Sequence, residues 1–145
     1  MEKPDRMALL GVLDGRRRGV LTTRRKNGRP QMSTVSFAYY PEQLELRISA
    51  TADRAKVINL RRDPVASFHV ATADDMSYIV MDGAAEVTPT AAEPSDPTVE
   101  ALVALFRDIQ GEHSDWTEYR EAMVAEKRVV ITVAIDHVYG YVRPS

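Results

Sequence analysis

The clearest periodicity along this chain is of two. Leu44, Leu46 and Ile48 alternate with Glu45, Arg47 and Ser49, which predicts an antiparallel strand with one face buried. Val129, Ile131, Val133 and Ile135 repeat the pattern near the C-terminus, with His137 to Val142 expected to pair beside them. Further strands are predicted over Gly19 to Thr23, Gln31 to Tyr39, Val65 to Ala71 and Ser77 to Val87. Asn27-Gly28 separates the first two, and that dipeptide readily takes positive φ, so a hairpin is expected there. Pro41-Glu42-Gln43 marks the next turn, and the first three strands are expected to form a meander. Within the second, Ser33, Val35, Phe37 and Tyr39 share one face and Met32, Thr34, Ser36 and Ala38 the other.

Helical spacing appears in few places. A short opening helix is predicted from Pro4 to Leu13, with Gly15 as its stop. Arg54 to Arg62 reads as another, capped by Asp53 and closed by Asp63-Pro64, because proline disfavours helical geometry in the residue before it. Beyond the loop from Thr88 to Pro97, Val99, Leu102, Val103, Leu105 and Phe106 give one helix an apolar face, and Trp116, Tyr119 and Met123 do so for a second. Short strands joined by tight turns, with helices at the periphery, predict a mainly β, α+β domain built as a closed or nearly closed antiparallel barrel. A doubly wound parallel sheet does not fit, and neither a dinucleotide fingerprint nor a P-loop is present.

At 145 residues with 44% apolar side chains, the chain is expected to form one domain, residues 1–145, around its own core. The absence of cysteine excludes disulfides, thiolate metal sites and cysteine nucleophiles. Met1 to Gly15 mixes charges into every turn and lacks the apolar stretch of a leader, and no run approaches a membrane span. The expectation is a cytoplasmic protein with no membrane contact. The net charge of −2 conceals an asymmetry: up to Arg62 there are 14 Lys or Arg against 6 Asp or Glu, and beyond it 5 against 15. An anionic ligand for the first half follows from that imbalance. Nucleic acid does not, because a pI near 5.9 is far from a basic domain.

The segment from Thr51 to Leu60 carries the most chemistry. Free N–H groups and the positive end of a helix dipole favour an anion at its start. Arg54 can present a bidentate fork to phosphate oxygens, Lys56 a mobile point charge and Asn59 a neutral donor one turn on. An ordinary amphipathic helix with a basic exposed side has the same spacing. His69, His113 and His137 lie too far apart for a metal motif, and no metal site is expected. Asp74-Asp75 reads as a turn, and Trp116, Tyr119 and Met123 as packing residues.

Several segments together resemble a known family. Gly28-Arg29-Pro30-Gln31, a Ser/Thr-bearing strand, Arg54, Lys56 and Asn59 followed by Leu60-Arg61-Arg62-Asp63-Pro64, Met76-Ser77-Tyr78, Gly111 to Trp116 and His137-Val138-Tyr139-Gly140 are similar to the pyridoxamine 5′-phosphate oxidase-like split-barrel family. The likeness is strongest to its actinobacterial branch that uses the deazaflavin coenzyme F420. It covers nearly the whole chain, with Met76 departing from a position where relatives carry an aromatic residue. The resemblance implies a homodimer of six-stranded split barrels with a cofactor in each of two clefts between subunits. It assigns Arg54, Lys56 and Asn59 to the cofactor's phosphate end, Gln31, Ser33, Thr34 and Val35 to the strand along its ring, and Ser77 and Tyr78 to a further wall. The implied activity is hydride transfer between coenzyme F420 and a conjugated small molecule, with no catalytic residue assigned and any proton supplied by solvent or by a hydroxyl such as that of Tyr78. The alternatives are an FMN-dependent oxidase of pyridoxamine phosphate and a non-catalytic carrier of deazaflavin or a haem-type ligand.

Overall fold

A computed structural model describes residues 4–144; residues 1–3, at the head of the segment read above for a leader, lie outside the described part. The chain runs α1 (Arg6–Gly11), β1 (Arg18–Arg24), β2 (Pro30–Ser36), β3 (Ala38–Tyr40), β4 (Glu45–Thr51), α2 (Ala55–Arg62), β5 (Val65–Ala71), β6 (Tyr78–Val87), α3 (Pro97–Gln110), α4 (Trp116–Ala125) and β7 (Arg128–Tyr141). All strands belong to one antiparallel sheet in the order β2-β1-β5-β6-β7-β4-β3. β2 and β3 therefore lie at opposite edges of the sheet although a single residue, Phe37, separates them in sequence. Such an arrangement requires the sheet to curl until its two edges meet, which is a split barrel. Six strands result when β2 and β3 are counted as one bent strand.

That bend corrects the expected continuous strand from Gln31 to Tyr39 and the expected meander. Phe37 is fully buried, packs edge-on to Phe68 with ring centroids 5.0 Å apart, and donates its N–H to the Arg17 carbonyl at 2.9 Å. Burying its ring turns the chain inward, so β2 pairs with β1 on one side of the turn and β3 with β4 on the other. The β1–β2 hairpin forms as expected. Arg25 N–H reaches the Arg29 carbonyl at 2.8 Å, Gly28 has φ 84°, and the Asn27 side chain accepts from Arg29 N–H.

The C-terminal pair of strands expected after Val129 is instead one strand, β7. Asp82 faces His137 and Gly83 faces Ile135, leaving Asp136 as the extra residue of a bulge. A second correction concerns α2, whose N-cap is Arg54, not Asp53, and which has no side-chain cap. The Arg54 side chain instead turns back to the Thr51 hydroxyl at 3.0 Å. Asp63 closes this helix as anticipated.

Two cores share the sheet. Leu21, Leu46, Ile48, Phe68, Met81, Ile131 and Val133 fill the barrel, with Val57 and Leu60 of α2 packed into the same cluster. Outside, Val99, Leu102, Leu105, Tyr119 and Met123 of α3 and α4 form a second cluster with Val130 of β7. Each fully buried aliphatic of this kind contributes roughly 1.5–3 kcal/mol. α3 and α4 are capped by Asp96 and Asp115, which accept from Val99 and Glu118 N–H. None of the described helices is long and apolar enough to cross a membrane.

Candidate functional site

Where the barrel's two edges approach, the sheet leaves a gap, and α3 and α4 roof it. The result is a cavity of about 420 Å³, within the range of small-molecule sites. Thr34, Val35 and Ser36 of β2 form one flank, and Ser49, Ala50 and Thr51 of β4 the other. The roof is apolar, with Leu102, Leu105, Phe106 and Ile109 of α3 and Tyr119 and Met123 of α4. Arg18, Arg54, Lys56 and Arg128 also line the cavity, and among the described residues no Asp or Glu does.

The cations are unequal. Arg128 is paired with Glu126 at 2.8 Å, Arg18 donates to the Ser36 hydroxyl at 3.2 Å, and Arg54 to the Thr51 hydroxyl. Among the described residues the Lys56 ammonium hydrogen-bonds the Ser33 hydroxyl alone, at 3.3 Å. Burial, and then the neighbouring Arg54 and Arg128 charges, hold its ammonium below the usual lysine pKa. A half-buried lysine repelled by two guanidiniums is stabilised by an incoming anion. Tyr119 adds no titrating group: burial pushes its phenol up to about 12, and its hydroxyl donates to the Leu102 carbonyl at 3.1 Å.

Of the residues singled out in the sequence, Thr34, Val35, Arg54 and Lys56 meet at this cavity. Ser33 stands behind it, holding Lys56. Asn59 is buried, its amide donating to the Thr23 hydroxyl at 3.1 Å and accepting from Arg62 at 3.3 Å. Gln31 accepts from that same Thr23 hydroxyl at 3.4 Å. These two residues lock α2 against β1 and β2. Ser77 accepts from Arg143 N–H, and Tyr78 stacks on His69 with centroids 5.5 Å apart; neither lines the cavity within this chain. His137 is bound to Asp82 at 3.3 Å, and the other oxygen of Asp82 accepts from Ser67.

Sequence reasoning missed Arg18, Arg128 and the two serines Ser36 and Ser49. The excess of positive charge up to Arg62 was the one signal pointing to Arg18, while Arg128 lies in the acidic part of the chain. Tyr119 and Met123 pack as expected and also form the cavity roof.

The pyridoxamine 5′-phosphate oxidase family profile matches residues 7–141. The chain belongs to that family. At the family level it is a split barrel of the flavin-binding oxidoreductase type. Solved structures with the same fold include a conserved hypothetical protein from Mycobacterium tuberculosis, 22% identical, TM-score 0.72, covering 95% of this chain and 84% of that one. An F420 reductase is 24% identical with a TM-score of 0.68 over 93% of this chain and 97% of its own. A heme binding protein from Mycobacterium smegmatis, 17% identical, gives a TM-score of 0.67 over 97% of this chain and 55% of its own.

Proposed function

We propose that this protein is an oxidoreductase that binds coenzyme F420 in the seam cavity. The observation that carries this reading is that Arg54, Lys56 and Arg128 line one cavity together with the apolar residues of its roof, with no carboxylate among the described lining residues. A deazaflavin carries a phosphodiester and an anionic tail on an aromatic ring system, so its two halves match the two walls. The F420 reductase among the structural relatives supports the choice over FMN.

When bound, the cofactor supplies two-electron chemistry by hydride transfer to a conjugated small molecule. The chain's own residues orient and enclose. Arg54 and Lys56 grip the anionic end, with Ser33 fixing the ammonium and Asn59, Thr23 and Gln31 fixing the helix that carries it. Thr34 and Val35 border the ring, and the α3 roof excludes water so that reacting groups keep a near-attack geometry.

A second copy of the chain completes the site in this reading. Thr34, Val20, His69, Val80 and Tyr139 are register partners across five strands and share the outer face of the sheet. Met32, Val65, Tyr78, Tyr139 and Tyr141 put exposed apolar surface on that face, beside the polar Ser67, Asp82 and His137. A homodimer through it brings the partner's Ser77 and Tyr78 region towards the cofactor. Sedimentation should give a dimer, and a monomer that still binds cofactor fully would remove the partner from the site.

The deciding experiment is a paired fluorescence titration of the cofactor-free protein with coenzyme F420 and with FMN at the same salt concentration. Preference for the deazaflavin is the expected result. Preference for FMN would move the protein to the oxidase reading, and binding of neither would reject a flavin-type site.

A further inference from the structure

The cavity has more cationic character than one anionic end uses, and the surplus is at a distinct place. Lys56 is anchored at Ser33 and Arg18 at Ser36, three residues apart on β2, which is about 10 Å along a strand. Among the described residues Arg18 is paired with no carboxylate, and its guanidinium donates to the Ser36 hydroxyl. The apolar residues Leu105, Phe106 and Ile109 line the same cavity as this guanidinium. Phe106 belongs to an aromatic cluster with His113, Trp116 and Tyr119 at centroid distances of 5.0–5.8 Å, which holds its ring in place.

We infer that the molecule taken up beside the cofactor is a planar, apolar carboxylic acid, its body against Leu105, Phe106 and Ile109 and its carboxylate on Arg18. The inference deepens the reading above and rests on it for its redox sense, since it names the substrate class of the same cavity. The physical reason is complementarity of both halves. A guanidinium fork matches a carboxylate in shape and charge, and an aromatic edge beside aliphatic side chains favours a flat apolar body. A neutral apolar molecule leaves Arg18 with its single hydroxyl contact and gains only the roof. A second phosphate-bearing anion would gain the charge and leave the roof bare.

The test is calorimetric titration of the full chain at low salt with trans-cinnamate and with its methyl ester, both without cofactor and with coenzyme F420 at saturation. The acid is expected to bind about tenfold more tightly than the ester, the value of one charged hydrogen-bonded contact. Arg18→Gln is expected to erase that preference while the melting temperature stays within a degree or so of wild type, as for other exposed substitutions. Equal affinity of acid and ester, binding of neither, or a preference that survives in a folded Arg18→Gln protein would each overturn the inference. A wild-type titration with coenzyme F420 alone separates the two readings. Failure there, with the cinnamate preference intact, rejects the cofactor and leaves the role of Arg18 standing. Tight F420 binding with no acid preference does the reverse.

Discussion

The Lys56 ammonium donates to the Ser33 hydroxyl at 3.3 Å, tying the first turn of α2 to the strand that flanks the cavity. This contact holds a positive charge near Arg54 and Arg128, whose repulsion, after burial, keeps the lysine pKa below its usual value. The arrangement costs stability in the free protein and favours an anion.

Replacing Lys56 with Ala should weaken F420 binding by about 1–3 kcal/mol without lowering the melting temperature. Unchanged affinity by fluorescence titration would exclude Lys56 from the phosphate grip.

The same lysine sets a pH dependence. Its folded pKa lies below the unfolded value near 10.5, so the charged form is penalised by folding at low pH. That penalty fades as pH rises through the window between the lowered pKa and 10.5. Anion affinity should fall across the same window, at lower pH than an ordinary lysine would dictate. Lys56→Arg should flatten the profile, and an identical profile in that variant would assign the titration elsewhere.

Asn59→Ala removes a buried amide that donates to Thr23 and accepts from Arg62. Stability should drop by about 1–3 kcal/mol, read from urea unfolding. A variant as stable as wild type but unable to bind cofactor would instead make Asn59 a direct ligand.

Asp96 accepts N–H groups of Ala92, Glu93 and Val99 at the start of α3, and these bonds hold its carboxyl below the ordinary range. Its contribution is complete above the unfolded pKa near 3.8 and lost as pH falls through the lowered folded value. Asp96→Ala should cost about 0.5–2 kcal/mol, as for other helix caps, and should make acid unfolding less steep. Because α3 roofs the cavity, ligand affinity should fall with it.

Gly83 sits beside the bulge, where an added Cβ would land on the Ala134 carbonyl oxygen and lie 2.9 Å from its carbon. Backbone cannot yield as a flexible side chain can. Gly83→Ala should destabilise by roughly 1–3 kcal/mol, and an unchanged unfolding midpoint would mean that β6 and β7 separate there without cost.

By itself the sequence determined the strands with one buried face, the Asn27-Gly28 hairpin, the apolar faces of α3 and α4 and the cationic segment around Arg54 and Lys56. Each rests on neighbours a few residues apart, whose spacing or turn chemistry acts locally. Only the tertiary structure decided that Phe37 splits one predicted strand between the two edges of a curled sheet, since that depends on Phe68 and the rest of the barrel interior. It likewise decided that Asn59 faces Thr23, that Arg54 and not Asp53 occupies the N-cap position of α2, and that Arg18 and Arg128, 110 positions apart in sequence, border one cavity. Charges so far apart share no periodicity. They meet because the barrel closes, and closure is a property of every strand at once.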